Sequence, residues 1–143
     1  MTSDLYEEDF FEWTRRNAEL LRAGRLRQAD IEHIAEEIED LGKRDRRELN
    51  DYVLDLLIHL LKWQLQPRRR SRSRESTIAS LRNEIEGILE QSPSLLPKIC
   101  DYLVENYKDA VRLAVIETGL SLGRFPGECP FTVEQILDPA FLP

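Results

Sequence analysis

The stretch DYVLDLLIHLLKWQLQPRRRSRSRES, residues 51–76, sets a lone histidine inside a strongly apolar run and follows it with a cluster of arginines. An α-helix turns about 100° per residue, so Asp51, Asp55, His59, Lys62 and Gln66 share a sector of roughly 80°. Nearly every residue outside that sector is apolar: Tyr52, Val53, Leu54, Leu56, Leu57, Ile58, Leu60, Leu61, Trp63 and Leu65, with Gln64 the one departure. A surface helix needs an apolar arc of little more than about 100°. An arc this broad must be covered from several sides, which predicts a central helix over residues 49–65, ended at Pro67. Its cover is to come from the other helices of the chain, from the C-terminal tail or from a second subunit.

Working outward, period-3.6 apolar spacing recurs along the chain and no alternating strand pattern stands out, so the fold class is all-α. A first helix over about 4–23 starts at Asp4 as N-cap, presents Phe10, Trp13 and Leu20/Leu21, and stops at Gly24. A second begins at Asp30 with Ile31, Ile34, Ile38 and Leu41 at 3-4-3 spacing, a narrow stripe suited to packing against another helix. Gly42 is followed by six charged residues, which admits either a break at 42–48 or one long helix over 30–65; with no proline present, one long helix is preferred. A third helix over 73–91 carries Ile78, Leu81, Ile85 and Ile88/Leu89, and a fourth over 94–120, capped by Ser94 with Pro97 in its first turn, carries Ile99, Leu103, Ala110 and Leu113/Ala114. The Pro-rich tail FPGECPFTVEQILDPAFLP (125–143) leaves room for one short helix at 132–137, capped by Thr132. The architecture expected is a single helical domain over 1–143, four-helix-bundle-like, with the tail packed on the bundle.

A chain of 143 residues can bury roughly 70% of the surface its unfolded form exposes, enough for one ordinary core. The acidic start MTSDLYEEDFFEWTRR carries no secretory signal pattern, and the longest apolar run, Leu54 to Leu61, is interrupted by Asp55 and His59, far short of a membrane span of about 20 residues. A soluble, cytoplasmic protein without a membrane partner is expected, with Cys100 and Cys129 as free thiols. The formal net charge of −7 argues against a general polyanion binder. The distribution is uneven: acids crowd the start and residues 30–40, while Arg68, Arg69, Arg70, Arg72 and Arg74 fall together.

Two groups are candidate sites. Asp55 and His59, one turn apart on the polar sector, read first as a solvated pair. The sharper alternative is a divalent metal held by Asp51, Asp55 and His59 with His33 and Glu37, which repeat the one-turn spacing on the second helix. The Glu-x-x-His signature of carboxylate-bridged bundles is missing; Asp30-Ile31-Glu32-His33 comes nearest. No other cofactor is expected, no catalytic residue is identified, and there is no Gly-rich phosphate loop. One or two of the five arginines suit the C-terminal end of the central helix dipole. The rest point to a partner: the acidic stretches of this chain or of a second copy, or, less favoured without interleaved aromatic residues, a nucleic acid.

The segments DIEHIAEEIEDLGKRDRREL (30–49), HLLKWQLQPRRRSRSRESTI (59–78), SPSL (92–95) and the tail FPGECPFTVEQILDPAFLP resemble, in order and spacing, domain-of-unknown-function family twenty-nine, an uncharacterised bacterial family. The resemblance covers almost the whole chain and implies an all-α, four-helix-bundle-like fold; it implies no activity. The family pattern tends to place an aromatic residue, typically Trp, where Arg74 stands. The functional expectation is a protein-interaction or regulatory module, binding itself or a protein partner, with metal binding and nucleic-acid contact through Arg68–Arg74 as alternatives.

Overall fold

The computed structural model describes residues 4–143. They form α1 (Leu5–Glu8), α2 (Phe10–Arg22), α3 (Ile31–Leu65), α4 (Arg72–Gln91), α5 (Leu96–Thr118) and α6 (Val133–Leu137), with no strand among them. The fold is all-α. Where the sequence reads as one helical domain, the contacts divide the chain into two compact units, the first ending at Arg44 and the second running from Asp45 to Pro143.

In the first unit the helix expected over 4–23 is split. Asp9 leaves helical geometry (φ −149°, ψ 87°) and its carboxylate accepts from the Glu12 N–H at 3.1 Å, capping α2, whereas the Asp4 side chain caps nothing. A short acidic side chain bonds the backbone more readily at a helix start than inside a helix. The stop at Gly24 holds: with φ 71°, it lets Gly24 N–H reach Leu21 O (3.1 Å) and Arg25 N–H reach Leu20 O (2.9 Å), the paired bonds of a Schellman motif. The return to α3 is tied by Asn17, whose amide donates to Trp13 O (3.0 Å) and accepts from Asp30 N–H (2.8 Å). Trp13 and Asn17 are the buried residues of α2.

α3 is one continuous helix of 35 residues, about 52 Å at 1.5 Å per residue. Gly42 sits unbroken within it, exposed; its cost of about 1 kcal/mol relative to Ala is set against neighbours that are good helix formers, Lys43, Arg44, Arg46, Arg47 and Glu48.

The core lies in the second unit. Leu49, Val53, Leu56, Leu57, Leu60 and Leu61 of α3 are fully buried with Ile78 and Ile85 of α4, Ile99, Ala110 and Ala114 of α5, and Ile136 of α6, while Phe125 and Phe131 of the tail close the cluster. The broad arc of α3 is therefore enclosed by the chain's own helices and tail. Ser71 caps α4 by accepting from Arg74 N–H (3.2 Å). Ser94 does not cap α5: residues Pro93–Leu95 make a 3₁₀ turn and the helix starts at Leu96, with Pro97 in its first turn. α5 ends at Gly119, which takes φ 72°. Thr132 caps α6 reciprocally with Gln135.

The tail is held by a buried cation. Arg82 is 6% exposed and faces no carboxylate within ion-pair distance among the described residues; its guanidinium donates to Ile136 O (2.9 Å) and Gln135 O (3.2 Å), carbonyls of the last turn of α6. Burial lowers its pKa, opposed by the charge of Asp138. A cation at the negative end of a helix satisfies carbonyls that nothing else in the tail reaches. Arg82→Met keeps the apolar stem and orphans both oxygens, so urea unfolding is expected to show a loss of about 1–3 kcal/mol. Arg82→Lys is expected to recover only part of it, because one ammonium does not reproduce the planar fork.

Candidate functional site

The polar sector of α3 is a solvent stripe. Asp51 and Asp55 are exposed and His59 is half-buried. Among the described residues His59 forms no ion pair with Asp55; burial lowers its pKa first, with the Lys62 charge adding to that, so it stands neutral near pH 7. Lys62 reaches Glu117 of α5 at 3.5 Å.

His33 and Glu37, the other expected metal ligands, are engaged elsewhere. His33 Nδ1 lies 2.7 Å from Asp30 Oδ2, and Glu37 accepts a hydrogen bond from the Tyr6 hydroxyl. Among the described residues no group of three or more His, Cys, Asp or Glu is placed to hold a metal ion. Asp51, Asp55, His59, His33 and Glu37 are thus not brought together as a metal centre. Cys100 and Cys129 are both free thiols, and burial raises the Cys129 pKa.

The arginines divide by role. Arg70 donates to Trp63 O (3.0 Å) and to the backbone oxygen of Pro143 (3.1 Å), with its guanidinium carbon 5.3 Å from the centre of the Trp63 ring. Arg74 donates to Gln66 Oε1 at 3.0 Å. One thus caps a carbonyl of the last turn of α3 and the other fastens the residue after it. Arg68, Arg69 and Arg72 are exposed, and none of the five pairs with a carboxylate among the described residues. The two structural arginines are drawn to backbone and amide oxygens left at the helix end.

The sequence reading missed a cluster where α1 and α2 meet the start of α3. Asp30 accepts from Trp13 Nε1 (2.9 Å), from His33 Nδ1 and, at 3.4 Å, from the His33 N–H, and the His33 ring stacks on Tyr6 at 3.9 Å between centres. Asp-Ile-Glu-His is a helix start in the manner of a capping box, with histidine in the third helical position where glutamate is usual. The signal was the 4-3-4 spacing of Tyr6, Phe10, Trp13 and Asn17 ahead of it. Beside the cluster opens a cleft of about 750 Å³ lined by Arg16, Asn17, Arg27, Gln28, Asp30 and His33 among others. Asp30 holds the Nδ1 proton and leaves Nε2 as the other polar atom of the ring, but among the described residues the lining offers no serine, threonine, cysteine or lysine to activate.

The same unit leaves apolar surface open. Ile31, Ile38 and Leu41 are 51%, 64% and 53% exposed, and Phe10 and Phe11 also face solvent. The stripe meant for another helix is covered only at Ile34, which is half-buried.

A family model described as Domain of unknown function DUF29 matches residues 5–142. The chain belongs to that family. No curated protein and no solved structure matches it. Membership in DUF29 carries no reaction, so function is argued from these surfaces.

The two histidines of this DUF29 chain are expected to titrate on opposite sides of the ordinary value of 6.5. The hydrogen bond to Asp30 raises the His33 pKa against burial, helped by the charges of Asp30, Glu36 and Glu7, while burial lowers that of His59. A raised histidine means the folded form holds the proton more tightly. His33 therefore supports the fold fully below 6.5, and that support is lost as the pH rises through its folded-state value. Proton NMR of the imidazole Cε1–H resonances checks this, with Asp30→Asn expected to bring His33 down and leave His59 in place.

Proposed function

We propose that the protein is a small cytoplasmic helical module that works by association, through the stripe Ile31, Ile34, Ile38 and Leu41. The observation that carries the reading is the exposure of three of these four residues on a helix whose later apolar residues, Leu49, Val53, Leu56, Leu57, Leu60 and Leu61, are fully buried. Their 3-4-3 spacing is the a/d pattern of a two-helix seam, with Ile at both a positions. Burying such side chains against a partner yields about 25 cal/mol per Å² of apolar surface. Ala35 and Gly42 follow the seam on one flank and let a neighbour approach closely, while Glu32, Glu36, Glu37, Glu39 and Asp40 make residues 31–42 acidic with no Lys or Arg among them. A parallel pairing of two such helices sets like charges side by side, so the complementary surface is apolar with a basic rim. Two free thiols agree with a reducing compartment. A photo-crosslinking residue at position 38 is expected to give one discrete adduct in cells, abolished by Leu41→Asp, while the same residue at exposed Glu86 gives none. No adduct at position 38, or one indifferent to Leu41→Asp, refutes the reading.

A second reading rests on Arg68, Arg69 and Arg72, whose guanidinium groups make no hydrogen bond or ion pair among the described residues, and supports contact with a phosphate backbone. If it holds, fluorescence anisotropy with duplex DNA or RNA shows binding whose log affinity falls with log salt at a slope of about −2 to −3, the value for three phosphates neutralised. Absence of binding at low salt, or no change on Arg→Ala at all three, removes it.

A further inference from the structure

The second unit carries a surface of the complementary kind. Between α5 and the segment that follows it lies a groove of about 650 Å³, lined by Tyr107, Val111, Val115 and Ile116 on one side and Leu122 and Phe125 on the other. Tyr107, Val111 and Phe125 are buried and make its floor; Ile116 and Leu122, 71% and 67% exposed, stand at its rim. The Tyr107 hydroxyl donates to Pro126 O at 2.5 Å and burial raises its pKa to about 12, so this bond persists through the neutral range. It ties the far wall to the helix, and the groove is formed before anything enters it. Among the described residues the charged side chains lining it are Lys108 and Arg112, one turn apart on α5. Among the described residues Arg112 pairs with the exposed Asp109 at 3.3 Å, a contact that a competing carboxylate replaces at small cost.

We infer that this groove receives the acidic apolar stripe of a second copy of the chain, with Ile38 and Leu41 seated on its floor and Glu32 and Glu39 beside Lys108 and Arg112. The inference deepens the association reading and rests on it. Charge complementarity selects the occupant: the stripe is acidic and the groove basic on a chain whose net charge is −7, so copies that otherwise repel meet where the signs oppose. An apolar helix face laid into a preformed groove is a recurrent mode of recognition. Each copy has one stripe and one groove, so two copies that exchange them close a pair, and a one-way exchange grows a chain.

Sedimentation velocity on the full chain tests it by complementation. The wild type is expected to associate reversibly. Ile38→Asp, which spoils the stripe, and the double variant Lys108→Glu/Arg112→Glu, which spoils the groove rim, are each expected to weaken association at least tenfold with unchanged helical circular dichroism. Mixed, the two variants are expected to form a 1:1 complex, because one still has its groove and the other its stripe. Charge reversal of Glu32 and Glu39 to Lys in the groove variant is expected to restore its self-association. Failure of the mixture to associate, or association of either variant at wild-type strength, overturns the inference. A wild type that stays monomeric, together with a discrete crosslink from position 38 to another protein, overturns the second copy as occupant and leaves the association reading standing. A monomer with no crosslink removes both.

Discussion

Removing nearly the whole circumference of one helix from water is the constraint on which the second unit depends. From Leu49 to Trp63 the apolar side chains of α3 point in almost every direction, and none is stable until cover arrives from α4, α5 and the tail. Each covering element has a stop placed to bring the next one back: Pro67 after α3, the 3₁₀ turn at Pro93 before α5, and Gly119 after it. The polar sector that remains faces solvent at Asp51 and Asp55, and at its far end Lys62 reaches Glu117 of α5. His59 lies at its edge, half-buried and without an ion partner among the described residues, and burial keeps it neutral.

Polar side chains then lock what the apolar ones assemble. Arg82 carries a charge into the core to meet the carbonyl end of α6, while the exposed Arg70 donates to the Trp63 carbonyl at the end of α3. Both act as terminators of helices that lack a glycine at that point. In the first unit Asp30 has the corresponding place, bonded to Trp13, His33 and Asn17 at once. Only one of these three residues, Arg70, belongs to the arginine cluster, so most of the polar scaffolding lies outside the stretch where charge is densest.

The two units differ in how completely they use their apolar residues. The second buries a full cluster; the first buries Trp13 and leaves Ile31, Ile38 and Leu41 in water. An apolar seam on the same continuous helix as a closed core has a physical reason only if something else covers it. With the groove beside α5 the chain presents an acidic apolar stripe and a slot rimmed by Lys108 and Arg112, the two surfaces on which the proposed association rests.

The sequence alone determined the helical class, the stop at Gly24 and the cap at Thr132, because each depends on residues within a few positions of one another, while it left α3 open between a break at 42–48 and the preferred single helix that the structure shows. It also showed the breadth of the buried arc and led to the expectation, met in the structure, that both cysteines are free thiols. The split at Asp9 was within reach, since Asp followed three residues later by Glu12 is a helix-start pattern, but the apolar run on either side masked it. Tertiary structure decided the rest. Whether His33 and Glu37 serve a metal or a neighbour depends on Tyr6 and Asp30 arriving beside them, and whether an arginine pairs with acid, caps a helix or stays in water depends on which oxygens the fold leaves unsatisfied nearby. Arg82 drew no attention in the sequence because its partners, the carbonyls of Gln135 and Ile136, lie more than fifty positions away and belong to the backbone, which no residue pattern marks.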